Sequence, residues 1–385
     1  MAEKEKRVGN AVRRENKVKI FKRSLSLTLI IWLIIVMAFL GLKIAEKTSV
    51  EALSSNNTSD GAYPVSFATN DIKDVKKAGR NIVVLTKKFA TVLSKSGNIV
   101  SETPVVYGDS AMHTNGSNIL VFDRLSNKYV LIGKNGEAKE RKSAHSNKIY
   151  NAKIADNGSV LLALKSDSSS SLVSVTDKNG KDIFVWSCTQ EYIIDFDLSD
   201  NGKTLFCAGI SAEGAEMYTV VYAVNIKKGT EKSYKLPSQS LIGLNGISSD
   251  NFNVITTDGF YIFDSSKEEI LVREISFQSD IICYSADENG NIAMLTNSAG
   301  NLSEDALTVY SESGKEEYSL SVQNGVLDIC MDKDDVYLLY NDFVLCVRNG
   351  KVADRLTFEN KAVGICKNGR QLYCYSLGGV EKAKG

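Results

Sequence analysis

Histidine, cysteine and closely spaced acids are the residues of this 385-residue chain that could do chemistry. Only two histidines occur, His113 in "SAMHTNG" and His145 in "KSAHSNK", each alone in a polar, loop-like setting. A metal site or a nucleophile–base pair usually needs a supported histidine. The spacing therefore predicts no catalytic residue, no metal ligand and no bound cofactor. Two acidic runs remain: "DFDLSDNGKT" with Asp195, Asp197 and Asp200, and "MDKDDVY" with Asp332, Asp334 and Asp335. Oxygen ligands at alternate positions can hold Ca²⁺, yet neither run fits an EF-hand loop. Both fall where tight turns call for Asp or Asn, so they read as solvated turn residues. Glycosidase chemistry would need two facing carboxylates, which sequence spacing cannot place.

Seven cysteines follow residue 187: Cys188, Cys207, Cys283, Cys330, Cys346, Cys366 and Cys374. The number is odd, no CxxC occurs, and most sit inside apolar runs such as "DIICYS" and "FVLCVR". They read as small buried side chains rather than a disulfide framework. In an exported protein that implies deep burial or a reducing setting.

The elements that must position these groups are short strands. Asn-Gly, a strong hairpin signal through the type I′ turn, recurs at 115–116, 135–136, 157–158, 179–180 and 201–202, then at 289–290, 349–350 and 368–369, among others. The early spacing of roughly 20 residues and later gaps near 44 match a four-stranded repeat. Residues 149–188 show the unit: "IYNAKIA", "DNG", "SVLLALK", "SLVSVTD", "KNG", "KDIFVWSC". Units run near 71–108, 110–145, 149–189, 192–239, 240–278, 279–322 and 323–359. The stretch 361–385 has room for only three strands, and "YPVSFAT", Tyr63–Thr69, is a strand without a unit. Donating it to the last unit closes a ring and hides an edge. The fold class is all-β: a β-propeller of eight four-stranded blades, with seven as the alternative. A β-sandwich does not explain a recurrence over about 320 residues.

The N-terminus carries a different signal. Residues 1–23 hold nine basic and three acidic residues, a charge of +6, which leaves −6 on the remainder of a formally neutral chain. "LSLTLIIWLIIVMAFLGL", Leu25–Leu42, is uncharged. Its length corresponds to roughly 27 Å of helix, enough for a bilayer core. The cationic flank precedes it, so the tail stays cytoplasmic and the rest is exported. The expected organisation is a basic cytoplasmic tail (1–23), a transmembrane helix (24–42), a Ser/Asn/Thr-rich linker (43–62) and an extracytoplasmic propeller (63–385). A cleaved signal peptide is the alternative; the tail is topogenic rather than nucleic-acid binding.

Two resemblances follow. "YAVNIKKGTEKSY", Tyr222–Tyr234, and "SVTDKNGKDIFVW", Ser174–Trp186, resemble the third strand, turn and fourth strand of quinoprotein-type propellers. Those carry a docking tryptophan in each blade; here only Trp186 lies in the repeats, and no residue of their quinone–calcium site carries over. The layout of basic tail, single span, linker and divergent propeller resembles single-span, membrane-anchored propeller proteins of clostridial Gram-positive bacteria, a domain of unknown function. That resemblance implies an envelope location and an anaerobic host, and implies no activity. The function expected is a membrane-tethered binding scaffold for an envelope protein or cell-wall polymer. Contacts are expected from the insertions 165–171, 210–217 and 297–306. The alternatives are a propeller enzyme with a channel site and a membrane sensor.

Overall fold

The computed structural model describes residues 62–68, 70–236, 240–297 and 303–385. All lie in one unit, Asn56–Gly385. The tail, the candidate span and nearly all of the linker fall outside the described residues. No helix among those described is long and apolar enough to cross a membrane.

Thirty-two strands among the described residues pair into eight four-stranded antiparallel sheets. Seven are built from consecutive strands, here a to d, and form blades 1–7: 74–104, 110–142, 149–188, 192–236, 241–276, 281–323 and 328–357. Blade 8 takes strands a to c from Gly364–Asn368, Gln371–Tyr375 and Gly379–Lys382, and its fourth strand is Val65–Ser66. Val65 pairs with Val380 and Ser66 with Gly379, and the Phe67 N–H donates to Gly378 O at 2.8 Å. Val65 and Val380 are both buried, each burial being worth about 2 kcal/mol. The arithmetic of eight blades and a donated closing strand therefore holds.

Burial explains the strand sequences. Strand b of blade 3, Val160–Leu164 (VLLAL), is buried at every residue because neighbouring blades cover both its faces. Strand d of blade 2, Ala138–Lys142 (AKERK), is almost wholly exposed and carries the charge expected of an outer edge. Between blades 4 and 5 the rings of Phe206, Phe252 and Phe263 stack with centroids 4.4 and 4.9 Å apart.

Two local expectations are corrected. Most Asn-Gly pairs are not type I′ turns. At 155–159 the Gly158 N–H donates to Ala155 O and the Ala155 N–H to Ser159 O, with only Gly158 at positive φ (80°). This is a longer loop in which glycine alone takes the left-handed conformation. Asn349–Gly350, with φ of 49° and 71°, is the pair in which both residues do. The segment 210–217 is also not a loop. It is the end of an extended hairpin, Thr204–Glu213 with Glu216–Asn225, laddered as far as Glu213↔Glu216.

Candidate functional site: the channel and its two mouths

Strand a of every blade is innermost, so one of its edges has no strand partner. Its backbone N–H groups need acceptors. Side chains from the preceding blade supply them in two layers. In the first, Asp195 Oδ2 accepts the Leu244 N–H at 2.9 Å while Oδ1 accepts the Phe196 N–H at 2.9 Å. Asp328 repeats the device between blades 7 and 8, accepting from Ile365 and Ile329, each at 2.9 Å. In the second layer His113 Nδ1 accepts from Ile154 at 3.2 Å, Asp197 Oδ2 from Gly246 at 3.1 Å and Ser285 Oγ from Met331 at 3.0 Å. Each bond ties one blade to the next.

Lys153 sits in this lacing. Its ammonium is 2.7 Å from Asp195 Oδ1 and donates to Leu244 O at 3.3 Å, so one side chain of blade 3 reaches blades 4 and 5. Burial works against the ammonium, but Asp195 and Asp197 outweigh it and hold its pKa above the usual lysine value. Burial raises the Asp197 pKa even though Lys153 and two backbone N–H groups oppose the shift. Burial, aided by the positive charges of Lys153 and Lys76, lowers the His113 pKa to about 3. The ring is neutral near pH 7, and with Nδ1 accepting, its proton rests on Nε2. Gly243 belongs to the same layer as Asp195. A Cβ there would lie 2.2 Å from the Tyr284 hydroxyl, so glycine makes room for that ring.

The a–b turns of blades 2–6 surround a cavity of about 680 Å³ at one mouth of the channel. Five carboxylates line it, Asp156, Asp197, Asp200, Asp287 and Glu288, together with His113 and the carboxamides of Asn115, Asn157, Asn245 and Asn289. Glu288 has a distant cation, Lys77, at 3.9 Å. The cavity is thus rich in acceptors and negatively charged. A second cavity, about 650 Å³, lies between blades 7 and 8. Asp335 and Arg348 form a charge-assisted pair there, with Arg348 Nη2 donating to Asp335 Oδ2 at 2.8 Å.

The other mouth differs in chemistry. Where strand a begins, Ile194, Ile242 and Ile282 are bulged residues with no partner in the ladder, and Leu327 and Val363 occupy the same place in blades 7 and 8. These five side chains are 36–51 % exposed. Among the described residues, ten of the sixteen exposed large hydrophobics lie at this d–a and b–c end, and six lie on strands d. None lies in an a–b or c–d turn.

Several sequence readings change. Asp195 and Asp197 are not turn residues; they lie within strand a, Tyr192–Leu198, two apart and so on one face of the strand. Asp200 and Asp334 do lie in a–b turns, whereas Asp332 ends strand a and Asp335 begins strand b. His113 is not in a loop but in strand a of blade 2, Ser110–Asn115. His145 is in the d–a loop before blade 3, its Nε2 3.1 Å from Asp182 Oδ2 without hydrogen-bond alignment. All seven cysteines are free; five are buried, and Cys283 and Cys330 are partly exposed. The Cys188 thiol donates to Glu191 Oε2 at 3.0 Å, and Tyr222 donates to the same oxygen at 2.7 Å. Trp186 packs edge-on against Tyr222 and donates to Glu231 at 2.8 Å. Among the described residues no three His, Cys, Asp or Glu side chains converge as a metal site. Sequence reasoning missed Lys153, Asp328 and Tyr284. The alternation in "DFDL" was the available signal for inward-facing acids, but nothing in the sequence paired them with a lysine on another blade.

The chain matches the family of unknown function DUF5711 over residues 56–383. It belongs to that family. No curated protein matches it. Among solved structures, BamB from Moraxella catarrhalis is similar at 12% identity and TM-score 0.53, covering 86% of this chain and 97% of that one. Apo AztD from Citrobacter koseri is similar at 11% identity and TM-score 0.51, covering 86% and 90%. At such identities the likeness is one of fold: this DUF5711 member shares the propeller architecture of both.

Proposed function

We propose that this chain is a membrane-tethered propeller outside the membrane that works as a binding scaffold for an envelope protein or a cell-wall polymer. The observation that carries this reading is how the channel's polar groups are used. Asp195, Asp197, Asp328, His113 and Lys153 are engaged in tying blades together, so none of these five stands free as a base or nucleophile. Of the carboxylates lining the cavity at the a–b mouth, Asp197 belongs to the lacing and Asp287 accepts from Asn289 and Asn291, which leaves Asp156, Asp200 and Glu288 to meet a ligand. Carboxylates and carboxamides around one hollow suit a ligand rich in N–H and O–H donors: the amines and hydroxyls of a glycan, or a basic protein segment. The uncharged segment 25–42 behind a basic flank supports the tether.

Two measurements on the full chain test this. Protease treatment of intact cells should remove the propeller and spare an N-terminal tag; protection of both ends refutes the topology. Cosedimentation with cell-wall material, or capture of an envelope protein, should weaken at least tenfold in Asp200→Asn/Glu288→Gln. Unchanged capture removes the cavity from the reading.

A further inference from the structure

At the d–a and b–c end of blades 8, 1 and 2, neighbouring loops are tied into one surface. The Ile72 N–H donates to Leu377 O at 3.0 Å, the Val105 N–H to Lys88 O at 2.6 Å and the Arg124 N–H to Asp109 O at 2.9 Å. Lys73 Nζ joins the first group to the rest by donating to Ser110 O at 3.3 Å. These loops raise three apolar tips, Leu377, Val106 and Leu125, which are 53, 80 and 55 % exposed. Five cations stand around the tips: Lys73, Lys87, Lys88, Arg124 and Lys128. The acids there count for less. Asp71 and Asp123 are buried, Asp109 is shared between Lys73 at 3.6 Å and Arg124 at 3.7 Å, and Glu140 lies beside Tyr107. Lys87 and Lys88 have no ion-pair partner among the described residues. The patch is therefore basic, on a chain whose charge beyond residue 23 is −6.

We propose that this patch docks on the anionic phospholipid headgroups of the membrane that holds the chain's N-terminal segment. Apolar tips ringed by lysine and arginine are the chemistry of an interfacial contact: the tips enter the headgroup region and the cations meet phosphate. A lysine at an anionic surface strengthens association about fivefold, and Lys87 and Lys88, being unpaired, contribute most. Neither cavity described above lies among these loops, and single apolar tips on separate loops suit a fluid lipid surface better than an acidic protein.

The rest of the ring is compatible with this contact. The hairpin of blade 4 extends from the same end elsewhere on the ring, and its tip carries Glu213 and Glu216, so the bilayer meets the rim of blades 8, 1 and 2 and not the whole face. The chain enters the ring at Val65–Ser66 of blade 8, beside the patch. Fully extended, residues 43–62 reach roughly 70 Å, about three times the length of a six-residue strand, so either end of the ring can face the bilayer. With the basic rim on the membrane, the acid-lined cavity at the a–b end is turned away from it, toward a ligand outside. The inference rests on the tethered reading for the nearness of the bilayer and goes beyond it in assigning the face that meets lipid.

The test uses the full chain reconstituted in vesicles, with a benzophenone amino acid in place of Val106, illumination, and mass spectrometry of the peptides. The expected result is a lipid adduct on the residue-106 peptide in mixed phosphatidylglycerol–phosphatidylcholine vesicles. The adduct should be at least tenfold weaker in pure phosphatidylcholine, and at least tenfold weaker in Lys87→Glu/Lys88→Glu with unchanged circular dichroism. The same probe in place of Asn179, in the c–d turn of blade 3, should give none. No adduct at 106, equal adducts at 106 and 179, or an adduct indifferent to lipid charge and to the lysine reversals overturns the proposal. Alkaline carbonate extraction of the same vesicles reads the tether separately. A chain that is washed off removes the tethered reading and this inference with it, whereas a retained chain without the adduct removes this inference alone.

Discussion

Replacing Lys153 by Met is the sharpest perturbation of the lacing. Methionine keeps much of the side-chain length and apolar contact, and removes the ammonium that faces Asp195 at 2.7 Å. Asp195 then retains its N–H donors from Phe196 and Leu244 but loses its counter-charge, and Asp197 loses the positive neighbour that opposes its protonation. Removing one partner of a buried pair typically costs 3–5 kcal/mol; because both carboxylates keep backbone donors, about 3 kcal/mol is expected here. For a ring of this size that corresponds to a fall in melting temperature of about 4–5 °C. The effect should depend on pH. Asp197 already has a raised pKa, so its protonated form is favoured in the fold, and this contribution is full at low pH and fades as pH rises through the raised value. Without Lys153 the raising is greater. The variant should approach the native chain near pH 4 and separate from it toward pH 8. Thermal unfolding by circular dichroism across that range is the assay. The double variant Lys153→Met/Asp195→Asn should lose clearly less than the sum of the single losses. A loss below about 0.5 kcal/mol at pH 8, or a loss that grows on acidification, would refute the reasoning.

Four further outcomes follow from the same geometry. Asp328→Ala leaves the edge N–H groups of Ile329 and Ile365 without their acceptors and should cost about 1–3 kcal/mol in chemical denaturation; Asp328→Asn keeps one acceptor oxygen but turns its NH2 toward the other N–H, so it should recover only part of that loss. Gly243→Ala should destabilise by about 1–3 kcal/mol through the clash with the Tyr284 hydroxyl, and adding Tyr284→Phe should recover part of it in the same assay. Because His113 is held neutral with a pKa lowered to about 3, its folded state resists the proton that the unfolded chain accepts below about 6.5, so its contribution is lost as pH falls between these values. His113→Gln should therefore flatten the acid-side decline of the melting temperature, and an unchanged slope would exclude that role. Burial pushes the thiols up, Cys188 to about 11 and both Cys283 and Cys366 to about 12, so a thiol reagent at pH 7.5 should label the native chain slowly and all seven cysteines after denaturation.

The repeat was legible because each blade must turn its chain within a few residues, and those turns draw on Asn, Asp and Gly whatever the blade's neighbours. The eight-blade arithmetic and the closing strand Val65–Ser66 followed from counting strands, a local property. The channel was not legible for the opposite reason. Asp195 meets Lys153 and Leu244 across 42 and 49 residues of sequence, and only the packing of successive blades side by side brings them together. The turn reading of "DFDLSDNG" was right for Asp200 and wrong for Asp195 and Asp197, because acids next to a turn signal were assigned to the turn although their alternate spacing fits a strand face. The apolar mouth was hidden too. Ile194, Ile242 and Ile282 look like ordinary core residues in sequence, and only the bulge before each following residue turns them outward.

The most direct test of the central claim is crosslinking in living cells with the tagged full chain, read by mass spectrometry and sugar analysis. It should be compared with Asp200→Asn/Glu288→Gln and with a chain lacking residues 63–385. The account expects an envelope protein or cell-wall polymer that is recovered with the native chain and lost with both variants. Recovery of the same species without the propeller, or of cytoplasmic proteins alone, would contradict it.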